Sequence, residues 1–134
     1  MGTLTITYDG DQHCTATDPA KNRSVAMDCP YTGKGEELSP GDLLQAALAG
    51  CMLIAMGPTA AREGVDLRDV TVSVVVDSAP PPRIAYRAIT VRVRMPPGLT
   101  DLQRRKLQRA AESCPIKNSF RETITMRVDF DYPD

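Results

Sequence analysis

The sequence predicts an α+β fold in which a mostly antiparallel, curved sheet packs around a central apolar helix. Three observations carry this. Short segments near both ends and in the middle alternate apolar and polar residues with period two, which is the strand signature. Two stretches carry helix-start signals, and one of them contains an unbroken apolar run from Ala46 to Met56. Strands and helices are segregated along the chain: three strands, an apolar helix, two strands, an amphipathic helix and a final strand. With 134 residues, 42% of them hydrophobic, the chain has the size and core of a single domain spanning 1–134.

The first strand carries Leu4, Ile6 and Tyr8 alternating with threonines and ends at the turn Asp9-Gly10-Asp11. His13 to Thr17 forms the second strand and Ser24 to Asp28 the third, joined by a turn over Asp18 to Asn22, so the chain opens with a meander. Cys14 and His13 are adjacent in a strand and therefore point to opposite faces. They make no Cys/His dyad, and both read as structural.

Pro30 to Glu37 is a polar loop that delivers the chain to the central helix. There Ser39 is the N-cap, Pro40 fills the first helical position and Asp42 completes a capping box. The apolar run of eleven residues is about half the roughly 20 needed to span a bilayer, which favours a helix buried in protein. Gly57-Pro58 is expected to kink or break it, with Thr59 to Glu63 continuing as a turn or two and Gly64 as the C-cap. Cys51 lies in the middle of the run.

Strands are predicted over Val70 to Asp77 and Arg83 to Met95, separated by an exposed connection with three consecutive prolines. In the second of these the apolar positions change parity, from Ile84, Tyr86 and Ala88 to Ile89, Val91, Val93 and Met95. A one-residue shift of this kind predicts a β-bulge near Ala88. The second helix starts with Thr100 as N-cap and Gln103 three residues on, and places Leu107, Ala110, Ala111 and Cys114 on one side against Arg104, Arg105, Lys106 and Arg109 on the other. Pro115 either ends this helix or opens a new one over Ile116 to Phe120; in the second case Cys114 would sit at a helix N-terminus, where the dipole favours a thiolate. Thr123 to Tyr132 alternates cleanly and closes the chain as a strand with one buried face.

One curved sheet covers one side of the apolar helix and leaves the other bare, so we expect an obligate homodimer. Sixteen basic against seventeen acidic residues give no reason to expect nucleic acid or an anionic membrane as partner. No basic-then-apolar leader is seen at the N-terminus, and a cytoplasmic protein is the expectation. Four cysteines with one histidine, and no two cysteines two to four residues apart, argue against a metal site and leave thiol chemistry or packing; no cofactor is expected.

Ser39-Pro40-x-Asp42-Leu43-Leu44 leading into Ala47-Leu48-Ala49-Gly50-Cys51, followed about sixty residues later by Ala111-x-x-Cys114-Pro115, resembles the OsmC/Ohr superfamily of osmotically inducible and organic hydroperoxide resistance proteins. The order of elements agrees, so the resemblance covers nearly the whole chain. It implies an intertwined homodimer with active sites at the subunit interface and a thiol-dependent peroxidase activity on organic hydroperoxides. Cys51 matches the cysteine that attacks the peroxide and becomes a sulfenic acid. Cys114 matches the one that condenses with it to a disulfide, which a dithiol reductant such as a dihydrolipoyl protein reopens. The family's supporting glutamate falls at Gly41 here. Asp42 is one residue off and, nine residues from Cys51, on the opposite helix face, which favours capping as its role. No arginine precedes Arg23, so Arg23, or Arg83 and Arg87 reaching over from the partner subunit, are the candidates for the family's arginine. Asp42 and Arg23 are thus the candidate thiolate-supporting residues. The alternative to a peroxidase is a non-peroxidatic dimer of the same fold that binds a small apolar or thiol-bearing ligand at the interface.

Overall fold

A computed structural model describes residues 2–134. Its contacts fall into two compact units, residues 1–46 and 47–134, and the helix Pro40–Glu63 (α1) runs across the boundary.

The N-terminal unit is a meander of strands Thr5–Gly10 (β1), His13–Asp18 (β2) and Arg23–Asp28 (β3), paired antiparallel in that order. Gly10, Asp11 and Gln12 all take positive φ, which closes the first turn. At the second turn the Asp18 carboxylate accepts from the amides of Ala20 and Lys21, an Asx turn followed by Asn22 in the left-handed region. The register sets Ile6 beside Ala16 and Val25, and Tyr8 beside Cys14 and Met27, so one face of the sheet is apolar. In the single chain Leu4, Ile6, Tyr8 and Val25 remain exposed. The loop after β3 is tied back by Asp28, whose buried carboxylate accepts from the amides of Glu36 and Glu37 at 2.8 and 3.2 Å, while its own amide donates to Leu38. This satisfies a group that would be costly to bury unpaired.

The start of α1 is the capping box that the sequence predicts. Asp42 N–H donates to Ser39 Oγ and Ser39 N–H to the Asp42 carboxylate, both at 3.0 Å. The end is also as expected: Gly64 has φ +66°, its amide reaches Ala61 O, and the Val65 amide reaches Ala60 O, a Schellman motif. Of the kink or break expected at Gly57-Pro58, the break does not occur: the helix is continuous through Pro58. Met56 and Ala60, on either side of the proline, are both buried in the core, and that packing offsets the lost hydrogen bond.

The C-terminal unit holds strands Thr71–Ser78 (β4), Tyr86–Arg94 (β5) and Thr125–Asp131 (β6) in the order β4-β5-β6. The β4/β5 pair is antiparallel. The β5/β6 pair is parallel, since the helix Asp101–Glu112 (α2) carries the chain back between them. Three of the four strand pairings are therefore antiparallel. The expected single curved sheet is instead two three-stranded sheets within the chain. The parity change in β5 is a bulge: Ala88 pairs with Asp77 and Tyr86 with Ser78, which leaves Arg87 as the extra residue.

The core of this unit is a stripe of α1, Leu48, Met52, Met56 and Ala60, packed with Ile89, Val91, Val93 and Met95 from β5 and its end, and with Leu107, Ala111 and Cys114 from α2 and the residues after it. Residues four apart on a helix lie one above the other, and alternate strand residues share a face, so the two periodicities meet. By length and composition α1 suffices to cross a membrane, with a mean hydropathy of 1.6 over an 18-residue window. Its buried stripe is that of a core helix, yet Ile54 is 78% exposed, leaving another part of its surface uncovered in the single chain.

Candidate active site

Two helices bring the reactive groups together. α1 places Cys51 half-buried, next to the core stripe. α2 starts at its Thr100/Gln103 capping box and ends at Ser113, whose amide closes on the carbonyls of Arg109 and Ala110. The next residue, Cys114, is fully buried. Pro115 ends α2, and only a single 3-10 turn, Lys117–Ser119, follows it. Cys114 is therefore not at the N-terminus of a second α-helix, as one of the two sequence readings had it.

The Cys51 and Cys114 side chains are neighbours, and both thiols are free. Burial pushes the Cys114 thiol up from its ordinary range, and hydrogen bonding and charge from Cys51 push the same way. The Lys117 amide, 3.4 Å from the Cys114 sulfur, and the Ile116 amide oppose the shift without cancelling it. The pair thus has a buried sulfur that holds its proton and a more accessible one beside it. Such a pair can be oxidised at the accessible sulfur and closed by the other.

The candidate supporting groups have local partners. The Asp42 carboxylate is engaged in the helix cap. Arg23 is exposed and donates to the carbonyl of its neighbour Asn22 at 3.2 Å. Arg87, in the bulge, pairs with Asp77 across the strand, and Arg83 lines a hollow of about 480 Å3 with Tyr86 and Ile84.

Sequence reasoning missed Cys29. Its thiol is lowered to about 7 by the Thr32 hydroxyl at 3.4 Å and then by the amides of Thr32, Tyr31 and Gly33, which surround the sulfur in the turn after β3. Gly33 is required there: a Cβ would lie 2.7 Å from the Cys29 carbonyl oxygen. The signal was present as Cys29-Pro-Tyr-Thr-Gly33, a cysteine opening a tight turn with threonine and glycine three and four residues on.

A family model described as OsmC-like protein matches residues 33–129. Among solved structures, one from Psychrobacter arcticus 273-4, whose name proposes a role in osmotic stress and detoxification response, is 29% identical with a TM-score of 0.88, and the match covers 98% of this chain and 96% of that one. An organic hydroperoxide resistance protein, OsmC, of Legionella pneumophila superposes with a TM-score of 0.71 at 19% identity, covering 98% and 96%. One from Elizabethkingia anophelis does so with 0.71 at 15%, covering 98% and 97%. No curated protein gives a significant sequence match.

Proposed function

The chain belongs to the OsmC-like protein family, and from that membership we propose that it is a thiol-dependent peroxidase for organic hydroperoxides, with Cys51 as nucleophile and Cys114 as resolving thiol. The observation that carries the proposal is the pair itself: two free, neighbouring cysteines, one half-buried and one fully buried with its proton held.

In the proposed cycle the Cys51 thiolate attacks the terminal oxygen of the hydroperoxide. A S–O bond forms, the O–O bond breaks, and the alkoxide takes a proton and leaves as the alcohol. The Cys114 sulfur then attacks the sulfenic sulfur. The S–S bond forms, the S–O bond breaks, and the hydroxyl leaves as water with the Cys114 proton. A dithiol reductant, such as a dihydrolipoyl group, returns two electrons and two protons. Burial holds the proton on the Cys114 thiol, and the Asp42 carboxylate is engaged in the helix cap.

The uncovered apolar groups Leu4, Ile6, Tyr8, Val25 and Ile54 support a homodimer. Gly41 at the position of the family's acid favours a second reading, a non-peroxidatic dimer that binds a small apolar or thiol-bearing ligand. One equivalent of cumene hydroperoxide followed by mass-spectrometric thiol mapping separates the two. The peroxidase forms a Cys51 to Cys114 disulfide rapidly and loses it in Cys51→Ser. If both thiols stay free at millimolar peroxide and Cys51 also resists alkylation at pH 7, the peroxidase reading fails.

A further inference from the structure

Closing the disulfide asks a fully buried thiol to give up its proton, and the turn after α2 bears directly on that step. Were α2 to continue, the Ile116 amide would donate to Glu112 O and the Lys117 amide to Ser113 O. Pro115 ends the helix, and both amides turn to the Cys114 sulfur instead, that of Lys117 at 3.4 Å. The Glu112 carbonyl is then taken by the Asn118 side chain, whose Nδ2 donates to it at 3.3 Å. The Asn118 amide donates to Cys114 O at 3.1 Å, so this one residue holds the chain on both sides of Ser113. Ser119 closes the turn, with its amide on Ile116 O at 3.1 Å and its hydroxyl on Pro115 O at 2.7 Å.

The side chains of this clamp lie outside the core. Asn118 and Ser119 are exposed, whereas the buried cluster that includes Cys114, with Met52, Ile89 and Ala111, is apolar. Cys51 on α1 is the titratable group that acts on the Cys114 thiol. The Ile116 and Lys117 amides are therefore donors fixed on the sulfur before its charge develops, and they oppose the burial that holds the proton. Dipoles placed in advance stabilise a developing negative charge without having to reorganise. Without the Asn118 side chain, Glu112 O is open to the Ile116 amide, its ordinary helical partner.

We propose that Asn118 is a positioning residue for disulfide closure: by occupying Glu112 O and gripping Cys114 O it keeps the Ile116 and Lys117 amides on the Cys114 sulfur. This rests on the peroxidase reading and deepens its second step. As the Cys114 sulfur attacks the sulfenic sulfur of Cys51, the S–S bond forms and the S–O bond breaks. The Cys114 proton leaves with the hydroxyl as water, and the two amides hold the charge on the attacking sulfur until the new bond is made.

The test runs the same closure without peroxide, in the full chain carrying Cys14→Ser and Cys29→Ser. Dithiodipyridine caps Cys51 as a mixed disulfide and releases one thiopyridone. Cys114 then attacks the Cys51 sulfur, the mixed disulfide breaks, and a second thiopyridone leaves with the Cys114 proton. The first release reads Cys51 alone and the second reads closure. In Asn118→Ala the second rate constant falls about three- to tenfold, the range that loss of one hydrogen bond gives, and the first is unchanged. The rise of the second constant with pH also moves to higher pH. Ser119→Ala acts in the same direction and less. Closure unchanged in both rate and pH profile in either variant overturns the proposal. So does an equal fall of both rate constants, which marks a general loosening. Failure of cumene hydroperoxide to form a sulfenic acid at Cys51 overturns the proposed activity and leaves the second release readable.

Discussion

The two units solve the same packing problem differently. In the C-terminal unit the inner face of β5, with Ile89, Val91 and Val93, is sealed by α1 and α2 and fully buried. In the N-terminal unit the sheet also has an apolar face, but Ile6, Tyr8 and Val25 on it are exposed in the single chain. Charge divides the same way: residues 1–46 carry three basic and seven acidic groups, and 47–134 thirteen and ten. So do the thiols, since Cys29 in an exposed turn is lowered to about 7 while buried Cys114 is raised. One unit has a closed core, and the other is a sheet whose apolar side is exposed in the single chain.

The largest effect expected from this contrast is in the closed core. Met56→Ala removes a fully buried side chain beside Pro58 and is expected to cost about 2–5 kcal/mol in denaturant unfolding; a cost below about 1 kcal/mol would mean that the core relaxes around the gap. On the open sheet, Ile6→Asp with Tyr8→Asp changes exposed side chains only. If a second copy covers this face, the dimer dissociates at least about tenfold more readily by analytical ultracentrifugation, a loss of about 1.4 kcal/mol. An unchanged dimer would remove this face from the interface.

A smaller effect is expected at the helix start. Ser39→Ala breaks one arm of the capping box and is expected to cost about 1 kcal/mol. Asp42→Asn should keep that hydroxyl contact and, if Asp42 serves only as a cap, leave the rate of Cys51 oxidation within about twofold, as stopped-flow with cumene hydroperoxide would read.

The smallest effect concerns pH. Iodoacetamide labelling of Cys29 should rise with a midpoint at about pH 7, and that of Cys114 only above the ordinary thiol range, as peptide mapping would read. The signs for stability are opposite. The folded Cys114 holds its proton longer than the unfolded thiol, so its contribution is whole below the ordinary thiol pKa of 9.0 and fades as pH rises beyond it. The folded Cys29 gives up its proton earlier, so its contribution is present above 9.0 and fades as pH falls through 7. Equal labelling of the two at pH 7 would erase the contrast.

Much of this was legible in the chain. Ser39 and Asp42, Thr100 and Gln103, and Gly64 are local devices, set by side chains within one turn of the groups they satisfy, and each appears where its residues predict it. The parity change before Ile89 likewise marked the bulge, because a strand that buries one face cannot slip by one residue without an extra residue to absorb it. At Pro58 the break that was one of the two expectations is absent for the opposite reason. Its local cost is real, but the burial of Met56 and Ala60 outweighs it, and burial is not a local property. The low pKa of Cys29 lay hidden because it depends on how three amides and a hydroxyl converge after the turn has closed.

By itself the sequence determined the elements, their caps and the α+β class, since these follow from residue type, period and spacing; Cys51 and Cys114 were singled out by the resemblance that their surrounding motifs carry. Tertiary structure decided that the strands divide into two sheets, that β6 lies parallel to β5, and that Cys51 and Cys114 are neighbours of unequal burial. Those facts rest on contacts between residues far apart in the chain. Proximity and desolvation, which set the pairing of the thiols and raise the pKa of Cys114, exist only once such contacts have formed.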